Sequence, residues 1–257
     1  MDKSLCAIYE INNICKDYGN KRVLSSLSLK IYEGESVALI GPSGAGKTTL
    51  LNILANVIEP DSGEVLSTGT PLKEFKSRKE FAKKVGIMRQ QFDLVRQLPA
   101  IQNVLAGRLN EWGVLKSLIS LVFPEKDYAE KALERVGLAD KIYEKTSNLS
   151  GGEQQRVAIA RLLVQHPEVV LADEPISSLD PARADDILSI LTKLTEEGGE
   201  TLITVLHSVD YAKIYFKRII GMRKGEIHFD LPAKEVTDEL LKDLYTLDEF
   251  EEVKTDE

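Results

Sequence analysis

The chain has 257 residues, 43% of them hydrophobic and 29% charged, and a formal net charge of −8. This length allows one large domain or two small ones, with the composition of an ordinary globular protein. The acidic balance argues against a nucleic-acid partner, because such binders carry a basic footprint.

The opening ten residues, MDKSLCAIYE, contain acids and no long apolar core, so no signal peptide is expected. Cys6 and Cys15, the two cysteines, read as reduced thiols of a cytosolic protein. Residues 7–40 read as strands. Ile8, Ile11 and Ile14 precede a turn at Tyr18, Gly19 and Asn20. Leu27, Leu29 and Ile31 then alternate with polar residues, as in a half-buried strand. After a turn at Glu33, Gly34 and Glu35 comes SVALI (residues 36–40), a short apolar run of the kind buried on both faces.

That run enters residues 41–49, GPSGAGKTT, and then a helical pattern in which Leu50, Leu51, Leu54 and Val57 are expected on one face. Pro60, Asp61, Ser62 and Gly63 end the helix. A short strand or hairpin follows, then a charged stretch (73–84) and a strand over 85–91. From about 98 to 165 the pattern is mostly helical. One helix there is expected to start at Pro124, with Glu125 and Asp127 in its first turn, where negative charge suits the helix dipole.

Residues 168–173 (EVVLAD) and 201–206 (TLITVL) read as further buried strands around a helix that stops at Gly198 and Gly199. Residues 218–229 read as a last strand pair turning at Lys224 and Gly225. The stretch 233–257 reads as a helix running into an acidic, solvated tail. Strands alternating with helices imply a mostly parallel sheet with helices on both faces. The block at 98–165 is read as a helical insertion. The longest apolar run, residues 114–123, is interrupted by Lys116 and falls short of the ~20 residues a membrane helix needs. A role in transport would therefore require another chain to supply the channel.

Three motifs carry chemistry. GPSGAGKT fits the pattern of a phosphate-binding loop, between a strand and a helix as that function requires. Gly41, Pro42, Ser43, Gly44, Ala45 and Gly46 form a backbone nest for anions at a helix N-terminus. Lys47 supplies a cation to the β- and γ-phosphates. Thr48 offers a hydroxyl to Mg²⁺, and Thr49 reaches a further phosphate oxygen. Asp173 and Glu174 end the strand EVVLAD, Asp173 as a Mg²⁺ carboxylate and Glu174 as the acceptor of a proton from attacking water. LSGGE (149–153) places Ser150, Gly151 and Gly152 before a helix, a second anion-binding N-terminus, with Glu153 just inside it. One ATP does not need two such sites from one subunit. The economical reading is a homodimer in which this second motif completes the site of the other copy.

With these elements in this order, the chain resembles the ATP-binding subunits of ABC transporters over about residues 8–230. The resemblance implies a P-loop NTPase cassette: a RecA-like α/β core with an antiparallel β-subdomain and an inserted helical subdomain. It implies a single domain, with the core at 1–88 and 166–232, the helical part at 89–165, and a C-terminal helix and tail at 233–257. It implies that Tyr18 stacks on adenine and that Val23 joins the nucleotide contacts. It gives Gln90 a place at Mg²⁺ and in the relay to the membrane subunit. Ser178, Leu179 and Asp180 correspond to the dimer-interface loop, and His207 to the histidine that steadies the γ-phosphate.

The strings QQFDLV (90–95), NVLAGRL (103–109), ERVGLADK (134–141), ADEPISSLDP (172–181) and LHSVDYA (206–212) are similar to phosphonate-import ATP-binding proteins. So are Ile176, where most cassettes have Thr, and the long insertion at 110–127. Departures are Arg89, where an apolar or aromatic residue is usual, Glu153 in a position often filled by Gln, and Asp230-Leu231, which lacks a usual Gly. The resemblance implies ATP and Mg²⁺ as ligands and integral-membrane permease subunits as partners. It further implies an indirect link to a solute-binding protein and a peripheral position on the cytoplasmic face of the membrane. An amino-acid importer, an exporter or a lipoprotein-release system are the alternatives. The segment 110–123, with Trp112, reads as core of the helical part, or in part as the groove for a permease helix.

Overall fold

A computed structural model of the protein describes residues 6–75, 77–89, 92–109, 125–177 and 179–246. Strands β1 (Ala7–Tyr18) and β2 (Lys21–Tyr32) form an antiparallel pair about the turn at Gly19 and Asn20, with Tyr18 opposite Lys21. In β2 the alternation read from the sequence is real: Leu24, Leu27, Leu29 and Ile31 are buried. Strand β3 (Ser36–Ile40) is buried at all five positions. Helix α1 (Lys47–Leu54) follows, and β4 (Ser62–Ser67) and β5 (Thr70–Pro71) complete a four-stranded sheet in the order β2-β1-β4-β5.

The remaining elements are α2 (Arg78–Lys84), β6 (Val85–Met88), α3 (Ala100–Leu105), α4 (Lys126–Arg135), α5 (Gly151–Gln165) and β7 (Val169–Asp173). After them come α6 (Pro181–Gly198), β8 (Thr201–Val205), α7 (Val209–Tyr215), β9 (Arg218–Arg223), β10 (Glu226–Pro232) and α8 (Asp238–Tyr245). The second sheet has the order β10-β9-β3-β8-β7-β6, parallel throughout except for β10.

Successive side chains of a strand point to opposite faces, and here the two faces feed two cores. Val37, Leu39, Val169, Leu171, Ile203 and Val205 pack with α1 and the antiparallel sheet. Ala38, Ile40, Val170, Ala172 and Leu202 pack with the helical block on the other side. Helices lie on both faces, as expected, and on one of them α1 shares the cover with the antiparallel sheet that the resemblance implies. Among the described residues no helix is long and apolar enough to cross a membrane.

Two local expectations are corrected. Helix α1 ends at Leu54, and Val57 lies in the following turn, 43% exposed. Helix α4 begins at Lys126 with Glu125 as its N-cap, so Asp127 alone is the acid of its first turn. Helix α6 stops where Gly199 takes a left-handed conformation at φ 80°, as the glycine pair suggested.

One buried polar network ties the approach to α5 to α3. Asn103, 3% exposed, donates to Thr146 Oγ1 at 2.9 Å and to Val95 O at 3.0 Å, and accepts from Val95 N–H at 2.8 Å. The Thr146 hydroxyl in turn donates to Leu98 O at 3.0 Å.

Candidate functional site

Register brings the C-terminal ends of the central strands level. Leu39 and Asp173 both pair with Val205, and Ile40 pairs with Gly221. Ligands in open α/β sheets bind at this edge, and two of the three motifs, the loop after β3 and the Asp173-Glu174 pair after β7, leave the sheet here.

The loop after β3 is shaped by close backbone approach. Gly41 has φ 145°, and a Cβ there would lie 2.0 Å from Met222 O. Gly46, at φ 97°, would place one 2.8 Å from Val23 O. No side chain fits at either position. The loop is braced by Ala45 N–H donating to Pro42 O (3.2 Å) and by Gly225 N–H donating to Ala45 O (3.1 Å). Lys47 is buried at the start of α1, and its ammonium donates to Gly41 O at 2.7 Å and Pro42 O at 2.9 Å. Burial holds this ammonium below its usual range, against the opposing pull of the Glu174 and Asp173 charges.

Across the loop, Thr48 Oγ1 donates to Asp173 Oδ1 at 3.3 Å. Burial pushes the Asp173 carboxyl up, opposed by that hydroxyl. Hydroxyl and carboxylate together are a hard-oxygen donor pair, and they fit a magnesium ion. Glu174 follows in a left-handed conformation, φ 50°. Such a backbone costs a residue other than glycine about 1–3 kcal/mol and persists only where its surroundings enforce it. Here Glu174 N–H donates to Val205 O at 3.2 Å, and Glu174 Oε1 lies 2.5 Å from His207 Nε2. A cleft of about 330 Å³ is lined by residues 43–49 together with Lys21, Val23, Glu174 and His207. The carboxylate, the imidazole and the glycine-rich loop thus share one space.

Ser150 caps α5: its Oγ accepts from Glu153 N–H at 3.4 Å, while Ser150 N–H donates to Glu153 Oε2 at 2.8 Å. That bond holds the Glu153 carboxyl below its usual range. Ser150 and Gly151 are exposed. Gly152 is buried, and a Cβ there would meet Arg183 Cδ at 3.3 Å. Asp180 caps α6, accepting from Arg183 N–H at 3.2 Å. Ser150, Gly151, Gly152, Glu153 and Asp180 are not among the residues lining the cleft of the same chain. Tyr18, 51% exposed at the β1–β2 turn, is not among the lining residues either, but its cross-strand partner Lys21 is; Lys16 Nζ lies 5.7 Å from the Tyr18 ring centroid. Leu179 is partly buried against the helical core. Gln90, Ser178 and the segment 110–123 lie outside the described residues.

Some participants had no sequence signal. Lys21 lines the cleft, yet nothing distinguishes it from any other turn lysine. Met222 acts through its carbonyl alone, which no side chain announces. Gly225 stood out as a turn residue, but its packing against Val23 is tertiary.

The model of the ABC transporter family matches residues 24–177. Among curated proteins, the chain is 43% identical to the "Phosphonates import ATP-binding protein PhnC" of Pseudomonas putida over 231 residues, 89% of this chain and 86% of that protein. It is 42% identical to "Phosphonates import ATP-binding protein PhnC 3" of Halalkalibacterium halodurans, over 92% of this chain and 93% of that protein. Among solved structures it is similar to the dimeric, post-hydrolysis state of the ATP-binding cassette MJ0796 bound to ADP and Pi. There the TM-score is 0.76 and the identity 32%, over 89% of this chain and 100% of the other. Similar too is CbiO1 of Clostridium perfringens, part of the ABC transporter complex cbiONQ, with TM-score 0.77, identity 28%, and 89% and 90% of the two chains covered.

Proposed function

Because the chain belongs to the ABC transporter family, we propose that it is the ATP-hydrolysing subunit of an importer for phosphonate or a related phosphorus oxyanion. The observation that carries this reading is the Glu174–His207 pair facing the loop that holds Lys47 across one cleft. Two copies close around two ATP molecules and drive permease subunits that receive solute from a solute-binding protein. The subunit sits peripherally on the cytoplasmic face of the membrane.

The loop amides and Lys47 bind the β- and γ-phosphates and neutralise their charge. Tyr18 stacks on the adenine and Val23 adds apolar contact. Thr48 and Asp173, with Gln90, hold Mg²⁺, which when bound neutralises charge on the phosphate oxygens. Glu174 takes a proton from water as its oxygen attacks the γ-phosphorus and ADP departs. With Glu174 ionised, His207 Nε2–H donates to it and fixes its orientation. Ser150, Gly151 and Gly152 of the second copy contribute N–H groups and a hydroxyl to the γ-phosphate, and Asp180 lies at the dimer interface. Ser150 keeps its capping bond in that role, because Oγ accepts from Glu153 N–H while its O–H donates to the phosphate, and Glu153 keeps the helix start in place.

The names of the relatives and the isoleucine at position 176 support the phosphorus oxyanion as cargo. The test is ATP turnover by the complex of this chain, its permease and its solute-binding protein. Turnover is expected to rise when the binding protein carries methylphosphonate or phosphite. It is expected to fall at least 100-fold in Glu174→Gln, the scale of a lost general base. Stimulation by methionine or a polar amino acid instead, or full turnover without Glu174, would overturn the reading.

A further inference from the structure

Beyond the residues that touch nucleotide, one side chain connects the two halves of the proposed site. Arg161 lies on α5, three turns beyond Ser150. Its Nη2 donates to Phe92 O and its Nη1 to Asp93 O, both at 2.8 Å. The two carbonyls belong to consecutive residues in the left-handed region, Phe92 at φ 56° and Asp93 at φ 48°. Neither is glycine, so this turn persists only where its surroundings over-determine it. A planar guanidinium is suited to the task, because its fork satisfies two acceptors in fixed relative orientation.

Three further contacts surround the turn. Phe92 N–H donates to Arg89 O at 2.9 Å, and the Arg89 guanidinium lies 3.5 Å from the Asp93 carboxylate. The Phe92 ring packs against the helical core. Behind Arg161, Gly107 approaches so closely that a Cβ there would lie 2.3 Å from Arg161 O. The turn is therefore bonded to the helix that opens with Ser150. On its other side, Arg89 and Asp93 share a cavity of about 400 Å³ with Asp173 and with Asn52 of α1.

We infer that Arg161 is a positioning residue that clamps the Phe92–Asp93 turn to α5. The wall beside Asp173 and the helix start that reaches the second copy's ATP then move as one body. This rests on the two-copy site proposed above. The clamp binds no nucleotide itself. Its loss leaves ATP binding to the single chain intact but lets the turn and α5 shift independently, so closure of the dimer no longer aligns Asp173 with the signature motif.

The experiment uses full-length Arg161→Ala and Arg161→Lys, each alone and combined with Glu174→Gln. ATP affinity of the single chain is expected to stay within about threefold of the parent. Turnover of the assembled transporter is expected to fall at least tenfold with KM for ATP nearly unchanged. The Lys variant, with a point charge in place of the fork, should recover only part of it. ATP-driven dimerisation in the Glu174→Gln background should require at least tenfold more protein. Amide hydrogen exchange at residues 92–95, measured without nucleotide, should quicken. Normal turnover and unchanged exchange, even with a lowered melting temperature, would overturn the inference. If Arg161→Ala does not fold, the same readouts on Arg161→Lys decide it. If the parent chain itself neither hydrolyses ATP nor dimerises, the proposed function fails, while the exchange data still decide the clamp.

Discussion

At the foot of the cleft the Lys47 ammonium is buried and is met by two backbone carbonyls, Gly41 O and Pro42 O. Neither bond commits it to a carboxylate, which suits the phosphate role proposed for it. A charge-assisted hydrogen bond contributes about 1.5–3 kcal/mol. Losing two such bonds to phosphate in Lys47→Met should therefore weaken ATP binding by roughly two orders of magnitude or more. Calorimetric titration checks this; affinity within a few-fold of the parent would remove Lys47 from the phosphate site. At this scale the sequence was highly informative, because the spacing of Gly41, Gly46 and Lys47 encodes a backbone shape directly. Glu174 was legible as a carboxylate at a strand end. Its left-handed backbone and its bond to His207 were not, because 33 residues separate the pair in the chain and only the strand register brings them together.

Among the elements, the buried strands were legible and the helical block only in outline. SVALI and VVLAD announce themselves because parallel strands covered on both faces need apolar residues throughout. Helix α7, seven residues capped by Ser208, is too short to establish a period. The region from Ala100 to Gln165 is broken by 3₁₀ turns at Ala106–Arg108, Ala139–Lys141 and Thr146–Asn148, and these interrupt the helical pattern. What orders the connections there is the Asn103 network. Truncating Asn103 to Ala removes the donor to Thr146 Oγ1, which keeps its bond to Leu98 O, and leaves the Val95 N–H and Val95 O without their Asn103 partner, at about 1–3 kcal/mol per group shut from water. Asn103→Ala should lower stability by about 2–4 kcal/mol in urea unfolding, and it should loosen the approach to Ser150. A loss under 0.5 kcal/mol would mean that the network contributes nothing net.

The whole molecule is a parallel sheet whose two faces feed separate cores, with one edge carrying the phosphate loop, Asp173, Glu174 and His207. The exposed Ser150 and Gly151 stand outside that cleft, and the proposed dimer accounts for this separation. A site with all its parts in one chain would need no second copy. In the antiparallel sheet over the other face, a half-buried strand was legible from the alternation in residues 27–31, while the subdomain itself came from the family resemblance; the β4–β5 hairpin stood only as one of two readings, since a two-residue strand carries no pattern. The central claim is that each cleft is half a site completed by Ser150, Gly151 and Gly152 of a second copy. Sedimentation of Glu174→Gln protein with saturating ATP and Mg²⁺ tests it most directly. The account predicts a dimer holding two ATP molecules, which reverts to monomer when Ser150→Arg is added. A species that stays monomeric with ATP bound, or a dimer indifferent to the change at Ser150, would contradict it.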